Sequence, residues 1–109
     1  EMKLLTKSIE RKLKANSVSE VTDLPPVVKF FGGGGCTWLI SEMHPDTNRM
    51  YGLCDLGHGS AELGYVMLED LEGLTFQFGL KVERDLWFKA DKTLNEYADE
   101  ARIAGRIAA

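Results

Sequence analysis

Cys36-Thr-Trp-Leu-Ile-Ser41 and Met50-Tyr-Gly-Leu-Cys-Asp55 decide the fold. Both are short runs rich in β-branched, aromatic or other apolar residues. Between them lies Glu42-Met-His-Pro-Asp-Thr-Asn-Arg49, whose Pro, Asp and Asn are turn residues, so the two runs read as the arms of an antiparallel hairpin. Facing Ile40 with Met50 sets Trp38 against Gly52 and Cys36 against Cys54. That register makes one continuous face and lets Trp38 cover a glycine that has no side chain of its own.

Working outward, Val27-Val-Lys-Phe-Phe31 is a strand bounded by Pro25-Pro26 and by the Gly32–Gly35 turn, and Leu63-Gly-Tyr-Val-Met-Leu68 is a further strand. Glu69-Asp-Leu-Glu-Gly73 reads as a single helical turn, acidic at its start where the helix dipole favours carboxylates. Alternation continues from Leu74 to Val82, but Gly79 interrupts it, so a separate strand is predicted only over residues 80–88. At the front of the chain Leu5, Ile9 and Leu13 form the stripe of a short amphipathic helix that Thr6 caps, followed by a loop over residues 15–26. At the back Thr93-Leu-Asn-Glu96 is a capping box, Leu94, Tyr97, Ala98 and Ala101 share a helical face, and Gly105 closes the helix. The order predicts an α+β fold: a small antiparallel sheet of four or five strands with an N-terminal and a C-terminal helix, gathered on one face or at the ends of the sheet.

The 109 residues, 44% hydrophobic and 28% charged, fit a single domain over residues 1–109. No run approaches a membrane span, no leader stands out, and two cysteines are too few for a disulfide scaffold, so the expectation is a cytoplasmic protein with both thiols reduced. The net charge is −4, unevenly spread. Lys3, Lys7, Arg11, Lys12 and Lys14 make the first helix basic. No cation lies between Arg49 and Lys81, where Asp55, Glu62, Glu69, Asp70 and Glu72 all fall. Nucleic-acid binding would have to use the basic helix, through Lys7, Arg11 and Lys14, since affinity for a phosphate backbone rests on clustered cations.

A set of segments occurs in one order along the chain: Val27-Val-Lys-Phe-Phe31, Thr37-Trp-Leu39, Gly52-Leu-Cys-Asp-Leu-Gly57, Glu62-Leu-Gly-Tyr-Val66, Val82-Glu-Arg-Asp85 with Phe88, and Tyr97-Ala-Asp99 with Ala101-Arg102. In these the chain resembles the small bacterial family known as domain of unknown function 2958 (DUF2958), over residues 4–107. The resemblance implies a small protein encoded largely on plasmids and other mobile elements, with no assigned activity, cofactor or catalytic residue.

Several side chains have the residue types that catalysis or metal binding uses. Cys54, Asp55 and His58 stand close enough in sequence to suggest nucleophilic catalysis. A thiolate needs an imidazole or a helix N-terminus beside it, however, and the inward parity of Cys54 favours a core thiol. Cys36, His44, Cys54 and His58 have the ligand chemistry of zinc without the spacing of a zinc site. The four glycines 32–35 lack the Lys-Ser or Lys-Thr and the following helix of a phosphate loop. Arg84 is expected to meet a carboxylate. The reading favours a non-enzymatic interaction or accessory module without a cofactor, meeting a protein partner through an acidic or aromatic surface. Its alternatives are an anti-defence inhibitor that mimics DNA with its acids, an enzyme using Cys54, Asp55 and His58, and a nucleic-acid binder.

Overall fold

The computed structural model describes residues 3–109. Its elements run α1 (Lys7–Ser17), β1 (Val28–Phe31), β2 (Thr37–Met43), β3 (Arg49–Asp55), β4 (Glu62–Met67), α2 (Leu68–Gly73), β5 (Glu83–Arg84) and α3 (Leu94–Ala104). The strands form one antiparallel sheet in the order β4-β3-β2-β1-β5. This is the predicted α+β fold, with one difference in layering: the two terminal helices take opposite faces. α1 and α2 cover one face through Leu13 and Leu71, which pack with Val28, Phe30, Trp38, Ile40, Met43 and Met50. α3 covers the other through Leu94, Tyr97 and Ala101, which pack with Leu39 and Leu53. The central strands are apolar at consecutive positions, Trp38-Leu39-Ile40, and side chains alternate across a strand, so both faces need a cover.

The β2–β3 hairpin pairs Trp38 with Cys54 and Ile40 with Gly52, two residues from the predicted register. The arms continue to Met43 and Arg49, so the connection is shorter than the predicted one. A shift of two preserves parity, and Trp38, Ile40, Gly52 and Cys54 still share the α1 face. Between Ile40 and Glu42 the register slips at a β-bulge, after which Met43 pairs with Met50. The bulge returns Met43 to the same core as Ile40 despite their odd separation. The carbonyl of Ser41, buried at the bulge, accepts from Asn16 Nδ2 at 3.0 Å. That contact explains why α1 runs on through residues 15–17, which the sequence assigned to a loop.

The helix ends follow local chemistry. Thr6 Oγ1 accepts from the Ile9 N–H at 3.1 Å, and the Thr93–Glu96 capping box closes in both directions. Gly105 ends α3 at φ 78°, the left-handed conformation that glycine adopts without strain. The predicted strand over residues 80–88 shrinks to Glu83–Arg84. Before it, Phe78 and Gly79 take positive φ and reverse the chain; after it, Asp85 Oδ1 accepts from the Trp87 N–H at 2.8 Å and turns it again. Arg84 donates from Nη1 to the carbonyls of Lys3 and Leu4, at 2.7 and 2.9 Å, in place of the expected carboxylate.

Gly52 is the tightest point of the sheet. A Cβ there would lie 2.0 Å from the Leu39 carbonyl oxygen and 2.8 Å from the Ile40 Cα, both backbone atoms that cannot yield. Gly52→Ala is expected to destabilise the protein by about 3 kcal/mol, the upper end of overpacking costs. Gly64→Ala, next to it on β4 with nothing within 4 Å of its Cβ, should be neutral or gain about 0.5 kcal/mol from restricting the unfolded chain. Urea denaturation of the two variants beside wild type checks the contrast.

Candidate functional site

A cleft of about 580 Å³ opens between three turns: Gly33–Cys36, Leu56–His58 and Phe76–Leu80. Its floor follows from glycine. Gly57 has φ 82°, and a Cβ there would fall 2.1 Å from the Gly34 carbonyl oxygen, so the first two turns touch backbone to backbone. Cβ atoms at Gly32 and Gly33 would sit 2.4 and 2.9 Å from Phe76, so that ring lies directly on the glycine backbone and packs against the α1-face core.

Phe76 anchors a miniature hairpin. Thr75 and Lys81 form a bridge, the Phe76 N–H donates to the Leu80 carbonyl at 2.7 Å, and Lys81 Nζ donates to Thr75 Oγ1 at 2.7 Å. At its tip Phe78 is held at φ 62°, ψ 21°, the one non-glycine residue with positive φ among the described residues. Its ring is 94% exposed, and Leu56 and Leu80 beside it are more than half exposed. The lip of the cleft is therefore apolar, and its aromatic member sits on strained backbone.

Asp55 lies beneath, only 2% exposed. Its Oδ1 accepts from the Gly57 N–H and its Oδ2 from the Ile107 N–H, both at 2.9 Å. One carboxylate thus fixes the cleft loop and the segment after α3. Cys54 precedes it on β3 and so points to the other face, opposite Trp38, where burial pushes its thiol up to about 11. Cys36 lines the cleft; burial, and then the charge of Asp55, raise its thiol above the ordinary value. His58 is exposed on the cleft rim. The cleft thus brings together Cys36 and His58, while Cys54 and Asp55 diverge.

The other singled-out residues lie elsewhere. His44 is exposed at the far end of the β2–β3 hairpin, where its Nδ1 accepts from the Asp46 N–H at 3.1 Å. Among the described residues no group of three or more His, Cys, Asp or Glu side chains could hold a metal ion. On α1, Lys7 and Arg11 are exposed, while Lys14 is half-buried and bonded to Glu10 at 3.0 Å. Glu62, Glu69, Asp70 and Glu72 are all exposed. No helix of the described residues is long and apolar enough to cross a membrane.

Sequence reasoning missed the residues that dominate the surface: Phe78 at the cleft, and Leu86 and Trp87, 62% and 91% exposed, on the turn after β5. The one signal for Phe78 was Gly79, whose interruption of the alternation marked a reversal and not a new strand.

A five-stranded antiparallel sheet between helices, with two partly buried thiols and a cleft with an apolar lip, defines a small α+β domain. The chain belongs to the family described as protein of unknown function (DUF2958), whose model matches residues 4–108. No curated protein and no solved structure matches it.

Removing the carboxylate in Asp55→Ala leaves the Gly57 and Ile107 N–H groups without acceptors and should cost about 3 kcal/mol in urea denaturation, with Asp55→Asn intermediate. Cys54 gives a pH signature. Its folded value lies above the ordinary 9.0, so its contribution to stability is complete below pH 9.0 and is lost as pH rises through about 11. Subtracting the stability–pH profile of Cys54→Ala from that of wild type should isolate this fall; a flat difference over that window would show a thiol that is not desolvated.

Proposed function

We propose that this domain acts without catalysis, by binding a partner protein at the cleft capped by Phe78. One observation carries the reading: an aromatic ring almost wholly in solvent on a left-handed backbone that costs about 1 kcal/mol or more. Phe78, Leu80 and Leu56 form an exposed apolar rim around a cleft large enough for an apolar side chain, and buried aromatic anchors of this kind dominate protein interfaces. No cation lies between Arg49 and Lys81, and Glu62, Glu69, Asp70 and Glu72 are exposed, so charge complementarity favours a partner whose apolar anchor is flanked by lysine or arginine. Both thiols are held above the ordinary value, which supports a non-enzymatic role, because a protonated thiol is a poor nucleophile. The family's resemblance-implied carriage on plasmids and mobile elements fits an accessory function of this sort.

The test is site-directed photo-crosslinking in cells of a natural host. p-Benzoylphenylalanine at position 78 should give a discrete adduct whose crosslinked peptide carries an apolar residue beside lysine or arginine. The adduct should disappear when Leu56→Asp and Leu80→Asp are added, and the same probe at Ile103 should not form it. Phe78→Gly should remove binding while raising stability by about 1 kcal/mol, because glycine accepts the left-handed conformation that phenylalanine resists. Identical adducts from positions 78 and 103 would overturn the proposal, as would no adduct from either.

A further inference from the structure

The two edges of the sheet are built differently. The β5 edge is two residues long, both charged, and Arg84 is tied to the carbonyls of Lys3 and Leu4, so it is short and guarded. β4 is six residues long, has no proline and no cation, pairs with β3 throughout without a bulge, and carries a single charge at its first residue, Glu62. Its outer side pairs with no other strand among the described residues.

The ladder fixes which backbone groups face outward. The Leu68 N–H donates to the Asn48 carbonyl at 2.9 Å, which makes Leu68 and Asn48 a hydrogen-bonded pair. Alternation along the continuous register then turns Val66, Gly64 and Glu62 toward β3, and leaves the N–H and C=O of Leu63 and Tyr65 and the N–H of Met67 pointing away from the sheet, the Met67 carbonyl being taken as the N-cap acceptor of α2. On the α3 face Leu63 and Tyr65 are 40% and 64% exposed, beyond the reach of the α3 core. On the α1 face a Cβ at Gly64 would meet nothing within 4 Å, so that side of the strand is open at Gly64, while Val66 packs against the core. Glu62 stands at one end of the edge, and exposed Glu69 and Asp70 follow at the other.

We propose that β4 accepts an added strand: an extended segment of a partner protein, apolar at alternate positions and carrying lysine or arginine at its ends. Backbone bonds to Leu63, Tyr65 and Met67 supply the pairing, the alternate apolar side chains cover Leu63 and Tyr65, and the terminal cations meet Glu62 and Glu69/Asp70. Arg49, stacked 4.4 Å over the Tyr65 ring, already covers part of one face, so the segment approaches along the edge. The inference does not depend on Phe78, because the cleft is lined by none of the β4 residues.

The probe is a blocked synthetic heptapeptide, Lys-Val-Thr-Val-Thr-Val-Lys, with a Glu-ended counterpart, followed by amide hydrogen exchange. The Lys-ended peptide should slow exchange at Leu63, Tyr65 and Met67 by about tenfold or more, with the Glu-ended one much less effective. Leu63→Pro deletes an outward N–H without removing a β3 bond and should abolish the protection at Tyr65 and Met67. If that variant fails to fold, Tyr65→Lys, which sets a cation on the edge, should weaken binding of the same peptide. No slowing with excess Lys-ended peptide overturns the proposal, and equal slowing by both peptides overturns its charge requirement. Protection that rises with protein concentration alone, with a doubled mass, makes a second copy the occupant and overturns the assignment.

Discussion

The Asp55 carboxylate holds the structure's separate parts in one arrangement. Burying a charge costs several kcal/mol unless it is fully hydrogen-bonded, so the geometry around it is constrained tightly. Gly57 and Ile107 donate to its two oxygens. Through Ile107 it seats the end of the chain in the α3-face core with Leu39 and Leu53. Through Gly57 it presses the loop after β3 against Gly34, and the same glycine turn is the bed on which Phe76 lies. The position of the exposed Phe78 is thus reached by a short sequence of contacts that starts at a buried carboxylate.

What could be read from sequence was what local chemistry decides. The Thr93–Glu96 box and Gly105 bound α3 because caps act over three or four residues, and Trp38, Ile40, Gly52 and Cys54 share a face because strand parity survives a two-residue slip. The slip itself was not legible: it depends on how far the arms extend past Ser41, where a bulge forms within β2 and Asn16, from α1, takes the Ser41 carbonyl. The layering was misread for a related reason. Trp38-Leu39-Ile40 is apolar on both faces, yet nothing in α3 taken alone says which face it covers. In the candidate site, Cys36, Asp55 and His58 were singled out for their chemistry. Their roles came from contacts across the chain, with Asp55 serving as a backbone clamp.

Charge and exposure divide the molecule's surface unevenly. Cations on α1, together with Lys29, Lys89 and Lys92, lie outside the interval from Met50 to Leu80, which holds no Lys or Arg and whose exposed charges are acids. Lys29 and Lys92 are spent on Asp85, Asp91 and Glu100. Such pairs at a surface contribute little stability, but they remove cations from any role in binding anions. Among the described residues the acids of this interval form no ion pair, and the interval also holds the unguarded β4 edge and two of the three turns that line the cleft. Its field therefore extends into solvent, where it acts on what approaches.

Phe78 gives the sharpest separation between what folding requires and what it does not. The reversal at the tip needs two left-handed residues, and Gly79 fills one of them at no cost. At the other, glycine or asparagine would relieve the strain, and a buried ring could justify it by packing. This ring is almost entirely in solvent, and Phe76, two residues earlier, already supplies the anchor to the core. The aromatic side chain at position 78 therefore adds strain and exposed apolar area to the fold without a compensating internal contact. No contact among the described residues accounts for that ring, whereas Cys54, Asp55 and Gly52 are each accounted for by what surrounds them, and it is this contrast that supports the proposed partner contact at position 78.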